Sequence, residues 1–99
     1  MASGWIGILS VELHFPEAQS LKEKRMHVRS AKEQLRNRFA AAVAEVDHHD
    51  VWQRARLTVA VVTRHAGEAE RLLADAERYL ASREWEVGLI ERDLVTLDD

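Results

Sequence analysis

From Trp5 to Phe15 apolar and polar positions alternate: Trp5, Gly7, Leu9, Val11, Leu13 and Phe15 fall on one side, and Ile6, Ile8, Ser10, Glu12 and His14 on the other. A period of two is that of a half-buried strand. Pro16, with no amide to give a ladder, ends it. The period then changes to that of a helix. Ser20-Leu21-Lys22-Glu23 has the form of a capping box. In that motif the Ser20 hydroxyl accepts from the Glu23 amide, and the Glu23 carboxylate reaches back to the Ser20 amide. The pattern predicts a helix from about Leu21 to about Arg38, with Leu21, Val28, Ala31, Leu35 and Phe39 facing a sheet.

Ala40 to Val46 reads as an Ala-rich strand suited to a sheet edge, and Asp47 to Ala55 as a polar connector in which Asp50 and Gln53 would cap a short helical turn. Arg56 to Thr63, dense in Val and Thr, is a strand with Leu57, Val59 and Val61 on one face and Thr58, Ala60 and Val62 on the other. A second helix is expected from about Ala66 to about Ser82, burying Ala69, Leu72, Leu73, Ala76 and Leu80; its start carries no strong cap. A last strand spans about Trp85 to Leu97, with Gly88 inside it and a break or bulge along its length. The order β-α-β-β-α-β with right-handed crossovers predicts a ferredoxin-like α+β sandwich, its antiparallel four-stranded sheet in the order 4-1-3-2 with both helices on one face. Residues 1–99 are expected to form one such domain. Ile6, Ile8 and Val62 fall on the face without helices, which points to a homodimer or a docking surface.

Composition narrows the classes. Apolar residues are 46% and charged residues 31% of the chain, the balance of a folded protein. With no Cys there is no disulfide framework, thiolate metal site or Cys nucleophile. Met1-Ala2-Ser3-Gly4 has no basic region ahead of an apolar run, and no apolar stretch nears the roughly 18 residues of a membrane span. The expectation is a cytoplasmic protein without membrane contact. A net charge of −3 argues against a general nucleic-acid coat, but residues 20–38 carry seven cations and two anions, a net of +5, which leaves −8 on the rest.

At 100° per residue, Lys22, Arg25, Arg29, Lys32 and Arg36 share an arc of about 80° on the first helix. Such a stripe can track phosphates, or it can be a solvated face whose stems cover the core edge. Lys24 falls instead between Val28 and Ala31, inside the apolar arc and in the first turn, where the helix dipole disfavours a cation. It must reach water past the helix end, find a counter-charge such as Glu45 or Asp47, or serve a ligand.

Asp47-His48-His49-Asp50 contains metal-ligating types, but adjacent side chains diverge and no HxxxH or HExxH spacing occurs, so no metal is expected. Trp52 and Arg54 flank this connector; the Trp either stacks a base or covers a sheet edge. Trp5 and Trp85 are expected to shield the core. The Arg56–Thr63 strand has no aromatic for an RNA-recognition-motif platform, the His14–Gln19 loop has no glycine for an acylphosphatase phosphate loop, and no GxGxxG or GxxxxGK[ST] is present.

Ser20-Leu21-Lys22-Glu23-Lys24-Arg25, Ala44-Glu45-Val46-Asp47 and Asp50-Val51-Trp52-Gln53-Arg54-Ala55, in this order and spacing, resemble the YlxP-like family of small bacterial proteins, a domain of unknown function. The resemblance covers nearly the whole chain and implies a ferredoxin-like fold. Genes of that family often stand beside those of transcription and translation factors and a ribosome-maturation factor, which implies a role near RNA or the ribosome. It brings no catalytic residues and no cofactor.

Together these readings favour a binding protein over an enzyme. Lys22, Lys24, Arg25, Arg29, Lys32 and Arg36 would hold an anion or nucleic acid, with structured RNA or a ribosomal subunit as partner. The connector residues Glu45, Asp47, His48, Asp50, Trp52 and Arg54 would share that patch with the Ser20–Arg25 segment. The alternative is a homodimeric structural or regulatory module that binds a protein partner or a small anionic ligand. An enzyme would need Lys24 with Glu45, Asp47 or His48 as acid–base groups in a common pocket.

Overall fold

The computed structural model describes residues 3–97. Its elements are β1 (Trp5–His14), α1 (Leu21–Phe39), β2 (Ala42–Asp47), β3 (Arg54–Thr63), α2 (Ala66–Ala81) and β4 (Glu86–Val95). All three strand pairings are antiparallel, and the sheet order is β2-β3-β1-β4, the 4-1-3-2 arrangement of a ferredoxin-like sandwich. α1 lies over β2 and β3, and α2 over β1, β3 and β4.

The alternation in β1 fixes which side is core. Leu9, Val11 and Leu13 are buried against Leu57, Val59 and Val61 of β3, beneath Val28, Ala31 and Leu35 of α1 and Ala69, Leu73, Ala76 and Leu80 of α2. Gly7 shares that inward face. A Cβ there would stand 3.1 Å from Leu73 Cδ1 and 3.2 Å from both Ala69 Cβ and Val61 Cγ2, so glycine is what lets α2 approach the sheet. Trp85 is buried, donating its indole N–H to His27 Nδ1 at 3.0 Å, while Phe15 stacks on the His27 ring at 5.5 Å. These aromatics join α1 to the start of β4.

Several boundaries differ from the sequence pattern, each for a local reason. β1 ends at His14, although the Phe15 amide still donates to the Gln53 carbonyl at 2.8 Å, one step on from the His14–Arg54 pair; Pro16, with no amide, carries the ladder no further. β3 starts at Arg54, two residues before the Val- and Thr-rich run, because Arg54 and Ala55 pair with His14 and Leu13. The capping box forms with one change: Ser20 Oγ accepts from the Glu23 amide at 3.1 Å, but the Glu23 carboxylate reaches the Gln19 amide, not that of Ser20. The α2 N-cap, His65, makes no side-chain cap bond. The bulge expected in β4 is present at Leu89: Val11 pairs with Ile90 and Glu12 with Gly88, leaving Leu89 unpaired at φ 39°. The connector between β2 and β3 forms turns and no helical turn; Gln53 donates to the Ala18 carbonyl at 3.2 Å instead of capping.

The open face of the sheet is graded along its length. Ile6, Val62 and Val95 meet side by side at one end. Towards the other end come Ser10, Thr58, Arg56 and Glu91, then Glu12, Arg54, His14 and Glu86.

Candidate functional site

Burial of its apolar arc turns the cationic stripe of α1 outward over the edge strand β2. Lys22, Arg25, Arg29 and Arg36 are exposed and Lys32 is half-buried. Arg25, Arg29, Lys32 and Arg36 line a groove of about 250 Å³ with Val28, Glu33 and Glu45. Among the described residues Lys22, Arg25, Arg29 and Lys32 have no hydrogen-bond or ion-pair partner, and Arg36 donates only to the Val43 carbonyl, at 3.4 Å. Elsewhere Arg54, Arg56, Arg78, Arg83 and Arg92 each meet a carboxylate, whereas Arg64 and Arg71 have none. Uncompensated positive charge is thus concentrated on one flank of one helix, where it gives that flank a positive field.

Lys24 differs from the other cations of α1. It is 1% exposed, packed among the core residues of the helix. Its Nζ donates to Glu45 Oε2 at 2.5 Å, to the His48 carbonyl at 2.8 Å and to the His49 carbonyl at 3.3 Å. An ammonium has three donors, and all three are taken within the protein. Lys24 therefore binds α1 to β2 and the connector from inside and is not available to an outside anion, while the cations of the stripe face outward. Of its two candidate counter-charges, Glu45 is the one used; the Asp47 carboxylate instead accepts from the His48 amide at 2.7 Å.

The connector is held from the sheet side as well. His48, at φ 66°, places Nε2 2.9 Å from Glu12 Oε1, and Arg54 Nη2 donates to Glu12 Oε2 at 3.0 Å. An ionised carboxylate only accepts, so His48 Nε2 carries a proton. The 3.3 Å approach of Arg54 Nη2 to that nitrogen is then a contact of two donors gathered by one carboxylate. The bond from His48, followed by that from Arg54, holds the Glu12 carboxyl below its ordinary value of 4.5. Along the same edge His14 Nδ1 lies 3.0 Å from Glu86 Oε1, and the cleft between these pairs has a volume of about 340 Å³.

The sequence-predicted patch is therefore divided. Lys24, Glu45 and His48 converge on one point, and Arg54 joins them through Glu12. Asp50 and Trp52 are exposed, and their side chains make no hydrogen bond, ion pair or ring contact among the described residues. Sequence reasoning placed Glu12 only as an outward strand residue; its pairing across 36 residues with His48 has no local signal. Among the described residues no three His, Cys, Asp or Glu side chains are grouped so as to hold a metal ion. No helix among them is long and apolar enough to cross a membrane.

A family model described as a protein of unknown function (DUF503) matches residues 6–93. The chain belongs to the DUF503 family. It is 30% identical over 90 residues to the uncharacterized protein YlxP of Bacillus subtilis (strain 168), an alignment covering 81% of this DUF503 chain and 98% of YlxP. Two solved structures share the fold. A VAO-type flavoprotein from Myceliophthora thermophila C1 matches at TM-score 0.59 and 15% identity, over 94% of the DUF503 chain and 16% of the flavoprotein. The de novo designed protein Foldit4 matches at TM-score 0.50 and 13% identity, over 92% and 97% of the two chains.

Two predictions follow from the internal ties of this DUF503 protein. Lys24→Met leaves the Glu45 carboxylate and two carbonyls without their donor and should destabilise the fold by about 2–4 kcal/mol, moderated because Glu45 can reach water. Adding Glu45→Gln should restore part of that loss, a coupling read from urea midpoints in a double-mutant cycle. For Glu12, a lowered folded pKa means that its contribution is full above the ordinary carboxylate value and is lost as pH falls through the folded value. Glu12→Gln should therefore lower stability near pH 7 and flatten its decline below about pH 4, as followed by urea unfolding across that range.

Proposed function

We propose that this DUF503 protein is a binding protein that docks on structured RNA, such as that of a ribosomal subunit, through the outer flank of α1. The observation that carries this reading is the row of Lys22, Arg25, Arg29, Lys32 and Arg36, none paired with a carboxylate among the described residues. Paired surface cations elsewhere in the molecule have counter-charges to hold them; these do not. Phosphate oxygens supply such counter-charges at the spacing of a polynucleotide, and contacts of this kind fix position without reading sequence. Lys24 contributes indirectly. By taking Glu45 it neutralises one of the two carboxylates in the groove.

A second reading, favoured by a different observation, is a homodimer through the open sheet face. Ile6, Val62, Val95 and Leu97 are 41%, 76%, 39% and 86% exposed and line one shallow groove. The far end of that face pairs its own charges, Arg56 with Glu91 and Arg54 with Glu12. It thus offers a second copy little but the apolar end. The two readings occupy different faces and are compatible.

Binding to ribosomal subunits and to structured RNA, measured across a salt series, tests the first reading. Five phosphate contacts should give a log–log salt slope of about −3.5 to −4.5. Arg25→Glu/Arg29→Glu/Arg36→Glu, folded by circular dichroism, should abolish binding. Absence of binding near 50 mM salt, where phosphate contacts are strong, would remove the RNA reading. Light scattering tests the second. A dimer that becomes monomeric in Val62→Lys supports it, and a monomer at all concentrations excludes it.

A further inference from the structure

We propose that the groove on α1 takes a single RNA strand and that Trp52 stacks one of its bases. This rests on the RNA reading above and adds the form of the strand and the residue that grips a base. Three observations carry it.

The first is the shape of the cationic surface. At a rise of 1.5 Å per residue, Arg25, Arg29, Lys32 and Arg36 step along the helix by about 6, 4.5 and 6 Å. They form one narrow row over one strand edge, a track for one backbone. Recognition of duplex RNA by shape requires contacts on both strands across a wide minor groove, and one row does not span it.

The second is the state of Trp52. It is 48% exposed, and its indole has no hydrogen-bond partner and no ring contact among the described residues. Trp85, by contrast, is buried, hydrogen-bonded and packed on two rings. A half-exposed indole with no ring contact and no acceptor for its N–H among the described residues offers surface on which a base can stack.

The third is where the connector holds it. On one side of Trp52 the carbonyls of His48 and His49 are bound by Lys24, in the first turn of α1. On the other, Gln53 accepts from the Phe15 amide and donates to the Ala18 carbonyl, two residues ahead of the Ser20 cap. The backbone that carries Trp52 is thereby held on both sides at the N-terminal end of α1, where the row of cations begins with Lys22 and Arg25. The surrounding charge also favours a base there over a phosphate. The carboxylates of Asp47 and Asp50 repel a phosphate on the connector itself, whereas the cations, from Lys22 and Arg25 onward, stand on the helix beside it. A strand held by its phosphates on α1 would lift at this end and present a base to the indole.

The intact protein, titrated at low salt with an oligouridylate of about 12 nucleotides and with an RNA duplex of equal length, tests this by tryptophan fluorescence. The single strand should bind more tightly than the duplex and quench emission. Trp52→Phe should lose the quench while Trp5 and Trp85 still emit, and Trp52→Ala should weaken single-strand binding by about 5- to 150-fold. Both variants are checked by circular dichroism, and the quench in the unmodified protein stands as a readout that needs no variant. Salt-dependent duplex binding equal to that of the single strand, without a quench, would overturn this inference and leave the RNA reading intact. So would unchanged single-strand affinity in Trp52→Ala. Binding of neither RNA would remove both.

Discussion

A lysine side chain ending inside a protein must find its acceptors there, and the site around α1 depends on how Lys24 does so. Desolvating an ammonium is costly unless each proton has a partner. Here the partners are a carboxylate of β2 and two consecutive connector carbonyls. In extended backbone successive carbonyls point in opposite directions. The left-handed turn at His48, φ 66°, changes the chain direction there and lets both carbonyls reach one nitrogen. Non-glycine residues adopt that region at a cost, and bonds on both sides of His48 offset it: its carbonyl on Lys24, its imidazole on Glu12. Thus one buried charge ties the first turn of α1 to β2 and fixes the course of the connector ahead of Trp52.

The same ion pair decides the sign of the neighbouring groove. Glu45 faces the helix layer because it pairs with Leu57 in the ladder, an inward position of β3. Unpaired, it would place a negative charge under Arg25, Arg29 and Lys32. Bonded to Lys24 it is neutralised from within, and the surface cations keep their field. On the open face the arrangement is reversed: Arg54 and His48 meet Glu12, and Arg56 meets Glu91. These pairs are partly buried and add modestly to stability. Their larger consequence is electrostatic, for they leave the sheet face without the net field that α1 presents.

Much of the fold was legible in the sequence because its signals are periodic. The alternation in β1, the 3.6-residue stripes of both helices and the capping serine are local patterns, and they place the elements within a residue or two of their observed ends. The position of Lys24 in the apolar arc was legible on the same ground, as was Glu45 as a candidate partner. What was not legible is contact between elements with no shared period. Glu12 with His48, Trp85 with His27 and the Gln53 amide on Ala18 join residues 36, 58 and 35 positions apart. The bulge at Val46 was equally silent, and the one expected in β4 had no readable position, since each depends on how two strands keep register and not on the residue itself. β3 began early for the same reason: a partner strand, not its own propensity, made Arg54 part of the ladder.

The fold alone carries no function here. A designed sandwich of comparable length reaches the same architecture at 13% identity, so the hydrophobic pattern suffices to build it. A buried lysine is not something that pattern requires. An apolar residue of similar volume in its place is often neutral or stabilising when the whole pair is replaced. Nor does a row of unpaired cations help the folded state, since like charges at i, i+3 and i, i+4 along one helix repel. Both features work against the minimum needed for folding, and both act on the same flank. Residues that a fold tolerates at a cost are where selection for something other than stability is expected to leave its mark. On this molecule they meet along the groove between α1 and β2 and at the connector that bears Trp52.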